Sequence, residues 1–219
     1  MSFRAVIFDL GGVVLDSPLH AIAAYERELG IPAGFVNRVV VEMGPSGAWS
    51  RLERGELSRR AFEAAFEAEC ESKGHVLCAA AMMERIALCG PRPRMLAAIR
   101  SIRGSGRAVA ALTNNWAPED GGGSETDALR ELFDVFVESS KLGLRKPDPR
   151  IYAHVCEALA IAPRDAVFLD DIGRQPEDGP RARHDDDQGG RARAGARRAV
   201  SPPRSASLRD PAAPRRGEG

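Results

Sequence analysis

Polar side chains follow three apolar, strand-like runs of this 219-residue chain. Asp9 follows the first run, Thr113 the second, and Asp170 with Asp171 the last. Parallel α/β sheets bind ligands beyond the carboxyl ends of their strands, so we expect these side chains to converge on one crevice, together with Lys146 from a loop. Carboxylates gathered there repel one another unless a cation lies between them. Mg²⁺ with oxygen ligands meets that need, because no His or Cys belongs to the pattern.

Each of these residues also has an ordinary explanation. A single Asp after a strand is usually a turn former or a helix cap, and Thr-Asn-Asn is common in turns. A lysine before a proline is usually a solvated loop residue. The convergence of three strand ends and one lysine on the same crevice is what favours chemistry over these interpretations.

Four short apolar runs alternate with helical patterns, which predicts a doubly wound parallel sheet of Rossmann-like α/β type. The first run is almost continuously apolar, as is typical of a strand buried on both faces. The runs span residues 3–8, 107–112, 134–137 and 166–169. We predict one helix over Met95–Arg103 and another that begins at Pro149 with Asp148 as its N-cap.

A block without convincing strands, residues 17–89, separates the first two runs and predicts an inserted helical cap. The core then consists of residues 1–16 and 90–174. Ser58 is expected to cap a helix over Arg59–Cys70.

Aromatic and basic side chains of this block have two alternative roles. Phe62 and Phe66, four residues apart, are expected in a packed core rather than around a ligand. Trp49, Arg51 and Arg54 could face the crevice, but a position on the helix surface is the stronger expectation.

The composition changes abruptly after Arg174. Residues 175–219 contain ten Arg, six Pro and six Gly, and only Val200 and Leu208 are large and apolar. Such a segment cannot bury enough surface to offset its ordering entropy, so we expect this tail to be disordered. One permissible back-translation of residues 175–189, shifted by a nucleotide, encodes NLKTARALGMTTIKV, a helix followed by a strand. We therefore interpret the tail as the product of a frameshift.

Charge and hydropathy exclude several classes of partner. The chain has 31 Lys and Arg against 31 Asp and Glu, so its net charge gives no argument for nucleic acid or an anionic membrane. No uncharged apolar run approaches the roughly 18 residues of a membrane span. The four cysteines form no CxxC pair, and the first residues lead directly into a strand. These features indicate a cytoplasmic protein with reduced thiols.

The polar strand ends lie within four short motifs that together resemble the signature of the haloacid dehalogenase (HAD) superfamily. The strongest likeness is to the phosphatase-like N-terminal domain of soluble epoxide hydrolases and to HAD domains fused to acyl-CoA dehydrogenases. It covers about residues 1–174 and implies a HAD core with an inserted cap. The motifs are FDLGGV at 8–13, LTNN at 112–115, KPD at 146–148 and FLDDIG at 168–173.

The resemblance implies a nucleophile and a metal site. Asp9 would attack phosphorus and form an aspartyl-phosphate that water later hydrolyses. Asp9, the backbone carbonyl of Gly11 and Asp171 would hold Mg²⁺, with Asp170 as a supporting or water-mediated ligand. The implied activity is a Mg²⁺-dependent phosphatase.

The resemblance also implies how a small phosphorylated substrate is held. Thr113 and Asn114, with neighbouring backbone N–H groups, would bind the phosphoryl oxygens. Lys146 would neutralise charge on Asp9 and on the phosphate, which an anionic nucleophile attacking an anionic substrate requires.

One position departs from the family pattern. HAD phosphatases usually carry a second Asp two residues after the nucleophile as general acid, and here that residue is Gly11. Losing a general acid typically lowers the rate about 10²–10⁴-fold. Two alternatives therefore stay open. One is a 2-haloacid dehalogenase, whose halide leaves without a proton, and the other is a weakly active or inactive HAD binding module.

Overall fold

A five-stranded sheet forms the centre of the computed structural model, which describes residues 3–118, 126–171 and 197–198. The strand order is β3-β2-β1-β4-β5. The first four strands run parallel to one another, and β5 pairs antiparallel with β4. The strands are β1 (Ala5–Phe8), β2 (Ala108–Thr113), β3 (Val135–Glu138), β4 (Ala166–Leu169) and β5 (Arg197–Arg198).

Nine α-helices accompany the sheet within these described ranges. Their bounds are α1 (Pro18–Leu29), α2 (Phe35–Met43), α3 (Ala48–Glu53), α4 (Arg59–Ser72), α5 (Ala79–Ala87), α6 (Pro93–Gly104), α7 (Asp127–Arg130), α8 (Ser139–Leu142) and α9 (Pro149–Ala158).

Alternate residues of the central strands contact helices on opposite faces of the sheet. Phe8 packs in one cluster with Ile99 of α6, whereas Ile7 packs in another with Ile151 and Val155 of α9. Because both faces are covered, all four residues of β1 are buried. The parallel sheet with helices on both faces confirms the predicted doubly wound fold.

Helices α1 to α5 all lie between β1 and β2 in the sequence, and we call them the cap. They pack around a hydrophobic cluster of their own, separate from the two clusters of the sheet. Phe62 and Phe66 are fully buried in this cluster, with their rings stacked at 5.3 Å between centroids. The Ser58 hydroxyl accepts a hydrogen bond from the N–H of Ala61, as predicted.

Three cap helices are capped by glutamates from elsewhere in the chain. Residues Gly34, Gly47 and Cys78 precede α2, α3 and α5 and give no side-chain cap. Instead, the carboxylates of Glu26, Glu69 and Glu67 accept backbone N–H groups at those helix starts, at 2.7–2.8 Å. A carboxylate at a helix N-terminus pairs the free amides and favourably opposes the helix dipole.

The two chain segments that join the cap to the core run side by side. Leu15 and Pro91 form an antiparallel bridge, and the N–H of Asp16 donates to the carbonyl of Gly90 at 2.9 Å. The N–H of Arg92 donates to the carbonyl of Val14 at 2.8 Å. Backbone hydrogen bonds therefore hold the two connections between the cap and the core to each other.

Most sequence-predicted elements of the core occur near their expected bounds. Strand β3 begins and ends one residue later than predicted. Asp148 caps α9 through a hydrogen bond from the N–H of Arg150 at 2.9 Å. Apart from β5, the predicted disordered tail at 175–219 lies outside the described residues. None of the helices in the described part is both long and apolar enough to cross a membrane.

Candidate active site

Asp9 occupies the first position after β1, at the carboxyl edge of the sheet. Its N–H donates to the carbonyl of Leu169 at 2.8 Å, which extends the pairing of β1 with β4. Its Oδ1 accepts the N–H of Leu10 at 2.7 Å. The side chain is therefore fixed at the start of a wide turn over Leu10–Val14, and Asp9 is 7% exposed.

Lys146 lies against the carboxylates, as its position in the third motif predicted. Its Nζ is 2.7 Å from Asp9 Oδ2 and 3.1 Å from Asp170 Oδ2. The lysine side chain is only 4% exposed. A buried ammonium shared by two carboxylates offsets part of their mutual repulsion.

Three carboxylates come together at this edge of the sheet. Asp9, Asp170 and Asp171 each offer an oxygen, and these oxygens all lie within 4.8 Å of one another. Among the residues that the structure describes, no His or Cys joins this cluster, and carboxylate oxygens alone suit a hard cation that keeps some of its waters. The donor set therefore fits Mg²⁺.

Glycine at position 12 is required by the approach of Asp171. The backbone of Gly12 has φ = +76°, which L side chains rarely adopt. A Cβ added there would lie 1.7 Å from Asp171 Oδ2. Gly12 thus lets the second carboxylate of the last motif reach the turn after β1.

Burial and mutual repulsion shift the ionisation of these carboxyls. Burial is the main reason that the pKa of Asp9 rises from 3.8 to about 6, while Lys146 opposes the rise and Asp170 adds to it. Burial and the charge of Asp170 also raise the pKa of Asp171. A bound cation would favour the ionised carboxylates. It would therefore offset the burial and the repulsion that raise these two pKa values.

Thr113 and Asn114 follow β2 at the same edge. Thr113 is 4% exposed, and its hydroxyl lies 3.4 Å from its acceptor, the backbone carbonyl of Asn114. The Asn114 side chain holds the backbone of Lys146 at two points. Its Oδ1 accepts the Lys146 N–H at 2.8 Å, and its Nδ2 donates to the Lys146 carbonyl at 3.2 Å.

A cavity of about 770 Å³ opens between this edge of the sheet and the cap. Side chains from several cap helices form its other wall, and these are largely apolar. The core contributes Asp9, Gly11, Thr113, Asn114, Lys146 and Asp171, whereas the cap contributes Leu19, Ile22, Val36, Val40, Trp49 and Glu53. The structure therefore brings every sequence-predicted site residue to the lining of this cavity except Asp170, which contacts Lys146 and belongs to the carboxylate cluster.

The expectation for Trp49 was wrong, and Glu53 was missed. Trp49 lines the cavity, and its Nε1 donates to Glu53 Oε1 at 3.0 Å. Arg51 and Arg54 both pair with Glu56, as expected of residues on the helix surface. The only signal for Trp49 and Glu53 in the sequence is their spacing of four residues, which places them on one helix face.

A family model described as a haloacid dehalogenase-like hydrolase matches residues 3–174. The match covers most of the chain, so the chain belongs to the haloacid dehalogenase-like hydrolase family. The resemblance inferred from the four motifs is confirmed.

Curated relatives include enzymes with additional domains. Acyl-CoA dehydrogenase family member 10 of Mus musculus is 36% identical over 176 residues, which cover 78% of this chain and 16% of that protein. Bifunctional epoxide hydrolase 2 of Sus scrofa is 32% identical over 192 residues, covering 79% and 34%. The chain thus spans only a minor part of these two relatives. The sesquiterpene phosphatase astK of Aspergillus oryzae is 28% identical, with 78% of this chain and 81% of that protein covered.

Two solved structures illustrate the shared fold. One is an L-2-haloacid dehalogenase, and the other is a HAD family enzyme from Bacteroides thetaiotaomicron. The L-2-haloacid dehalogenase RSc1362 has a TM-score of 0.56 at 20% identity, with coverage of 77% of this chain and 78% of that one. The enzyme bt-2542, in complex with magnesium and inorganic phosphate, has a TM-score of 0.52 at 18% identity, covering 78% and 85%. These likenesses establish the fold alone.

Proposed function

We propose that the chain is a Mg²⁺-dependent phosphatase that hydrolyses small phosphate monoesters through an aspartyl-phosphate on Asp9. The observation that carries this proposal is the cluster of three carboxylates within 4.8 Å, with Lys146 bridging two of them. A nucleophilic carboxylate, a metal-binding acid pair and a fixed cation are the groups that phosphoryl transfer requires.

Asp9, the backbone carbonyl of Gly11 and Asp171 would hold Mg²⁺, with Asp170 in support. When bound, the ion supplies positive charge that draws the phosphate toward Asp9 and offsets the charge that develops during transfer. Gly12 keeps the space that Asp171 needs for this role.

In the first step, a carboxylate oxygen of Asp9 forms a bond to phosphorus while the bond between phosphorus and the ester oxygen breaks. Lys146, 2.7 Å from the Asp9 carboxylate, lowers the charge repulsion between nucleophile and phosphate. Thr113 and Asn114 would hold phosphoryl oxygens. In the second step, water attacks phosphorus, releases inorganic phosphate and restores the Asp9 carboxylate.

The leaving group takes its proton from water, because Gly11 provides no acid. Leaving groups that are stable as anions should therefore react fastest. We accordingly expect aryl phosphates to be much better substrates than alkyl phosphates.

The wall contributed by the cap favours a substrate with an apolar body. Leu19, Ile22, Val36 and Val40 line the cavity opposite the carboxylates. Apolar pockets with a few polar groups at one end orient a ligand by burying its apolar part. The relative named as a sesquiterpene phosphatase fits this expectation.

Hydrolysis of p-nitrophenyl phosphate, with Mg²⁺ and with EDTA, tests the proposal. We expect activity that requires Mg²⁺ and that Asp9→Asn abolishes. Asp148→Asn is the matched control, because Asp148 belongs to the third motif but points to the surface as a helix cap. Activity that persists in Asp9→Asn would contradict the nucleophile.

A 2-haloacid dehalogenase is the second candidate, favoured by the glycine at position 11. Release of chloride from 2-chloropropionate in EDTA, with no hydrolysis of phosphate esters, would support it. Binding of inorganic phosphate without turnover of either substrate would instead indicate a binding module.

We also propose the cytoplasm as the location of the protein. All four of its cysteines are free, and burial raises the pKa of Cys70 to about 12, so that thiol is inert. Free thiols suit a reducing compartment. Fractionation of cells with an antibody against the chain tests this location.

A further inference from the structure

Glu53, the last residue of α3, lines the cavity and contacts residues of the core. The residue is 7% exposed. Its Oε2 accepts a hydrogen bond from Asn114 Nδ2 at 3.3 Å and lies 2.5 Å from Arg145 Nε. Its backbone carbonyl accepts the Ser139 hydroxyl at 2.6 Å. One cap residue thus contacts the segments after β2 and β3 and the segment that carries Lys146.

The Glu53 carboxylate helps to fix which way the Asn114 amide faces. Nδ2 of Asn114 has two hydrogens, and its partners are Glu53 Oε2 and the Lys146 carbonyl. If the amide were flipped, its oxygen would face a carboxylate and a carbonyl, both acceptors, and the Lys146 N–H would lose its acceptor. The two backbone groups of Lys146 and the Glu53 carboxylate therefore select the same orientation, and Glu53 adds a third hydrogen bond that holds Asn114 in it.

Resting on the proposed phosphatase activity, we propose that Glu53 is a positioning residue that acts through Asn114 to hold Lys146 against Asp9. The position of the cap relative to the core and the position of Lys146 relative to Asp9 then depend on the same carboxylate. A displacement of about 1 Å in a catalytic group can lower a rate about 10²-fold, so this indirect contact is sufficient to control turnover.

The same contacts argue against Glu53 as the general acid that position 11 lacks. Both of its oxygens are engaged, by Trp49 and by Asn114 with Arg145. All three partners are N–H groups, so the two oxygens are arranged as acceptors rather than to donate a proton into the cavity. Burial raises the pKa of Glu53, and Arg145 opposes that rise.

Amine labelling tests the position of Lys146 without relying on catalysis. The chain has three lysines, Lys73, Lys141 and Lys146, so labelling by acetic anhydride can be followed for each by mass spectrometry. In the metal-free protein we expect Glu53→Gln to speed labelling of Lys146 about tenfold, while the other two lysines serve as internal references. An unchanged rate at Lys146 would overturn the proposal.

A matched variant and a fallback keep this measurement decisive. Glu67→Gln removes another cap carboxylate, which accepts the N–H of Ala79 at 2.7 Å and does not line the cavity. This variant should leave Lys146 protected. If Glu53→Gln does not fold, the double variant Glu53→Gln/Arg145→Met, which removes both charges of this ion pair, takes its place in the measurement. Equal labelling of Lys146 in the Glu67 and Glu53 variants would also overturn the proposal.

Kinetics with p-nitrophenyl phosphate and Mg²⁺ then test the route through Asn114. We expect Glu53→Gln to lower kcat about 10- to 100-fold and to change KM less than about threefold. Combined with Asn114→Ala, it should lower kcat no further than Asn114→Ala alone, whereas independent effects would multiply and refute the route. If the unmodified protein hydrolyses no phosphate ester, the proposed function fails, and the labelling result still decides the role of Glu53.

Discussion

Replacing Asp9 by Asn should change how the stability of the metal-free protein depends on pH. Asn resembles the protonated carboxyl in size and charge but does not titrate. The difference in unfolding free energy between the two proteins therefore isolates the titration of this one buried group. Lys146 keeps its second partner, Asp170, in the variant.

The magnitude follows from the raised pKa. Asp9 titrates at about 6 in the folded chain and at 3.8 when unperturbed. The folded protein binds the proton more tightly, so the stability that protonation contributes is fully present at low pH and is lost as pH rises from about 4 to about 6. At about 1.4 kcal/mol for each unit of pKa, the total is about 3 kcal/mol. At pH 7 the unmodified protein should thus be less stable than Asp9→Asn by about this amount.

Urea unfolding in EDTA at several pH values between 4 and 8 measures this difference. We expect the gap between Asp9→Asn and the unmodified protein to open by about 2.5 kcal/mol between pH 4 and pH 7. Asp148→Asn is the control, because Arg150 lowers the pKa of Asp148 and its titration therefore lies below this range. Mg²⁺ should stabilise the unmodified protein more than Asp9→Asn, since Asp9 would be a ligand.

A constant difference between pH 4 and pH 7 would refute the reasoning. It would mean that Asp9 is no harder to ionise in the folded chain than in the unfolded one. The effect of Lys146 on the Asp9 pKa would then be large enough to cancel the effect of burial.

Three further predictions concern the turn after β1 and the cap. Gly11→Asp should raise kcat for alkyl phosphates about 10²-fold and have less effect on p-nitrophenyl phosphate, because an added Cβ meets only the ring of Pro18, at 3.3 Å. Gly12→Ala should weaken Mg²⁺ binding, measured by calorimetry, at least about tenfold, because the added Cβ would clash with Asp171. Gly30→Ala is the control and should not weaken it, because Gly30 also has a positive φ but has open space around it. Glu26→Gln should lower the unfolding free energy in urea by about 1.5–3 kcal/mol, because a buried carboxylate that accepts two helix N–H groups becomes neutral.

The core and its polar residues were predictable because strand direction fixes where strands end. Continuous apolar runs indicated buried parallel strands, and the carboxyl ends of parallel strands lie at one edge of the sheet. Asp9, Thr113 and Asp170 therefore had to lie near one another whatever the details of the loops. Lys146 was expected at the same crevice, but a loop lysine carries no periodic signal, and its role beside Asp9 came from the family resemblance.

The cap wall of the cavity could not be predicted in the same way. Its orientation depends on contacts between residues far apart in sequence, such as Glu53 with Asn114, which are 61 positions apart. The start of α2 is likewise fixed by Glu26, eight residues before Gly34, rather than by a local capping residue. Propensity and spacing report only local structure, so they could not show that Trp49 faces the cavity rather than solvent.

The charge of the site supports the proposed combination of Mg²⁺ with a phosphate substrate. The three ionised carboxylates and the Lys146 ammonium leave two uncompensated negative charges, in a region where Asp9 is 7% exposed. A phosphate dianion would be repelled from such a site, whereas a bound Mg²⁺ would bring its charge to zero before the substrate arrives. A haloacid dehalogenase needs only one carboxylate to attack carbon, and for it Asp171 would add repulsion toward an anionic substrate without a benefit. The acid pair therefore favours phosphate as the substrate, even though the glycine at position 11 suits either leaving group.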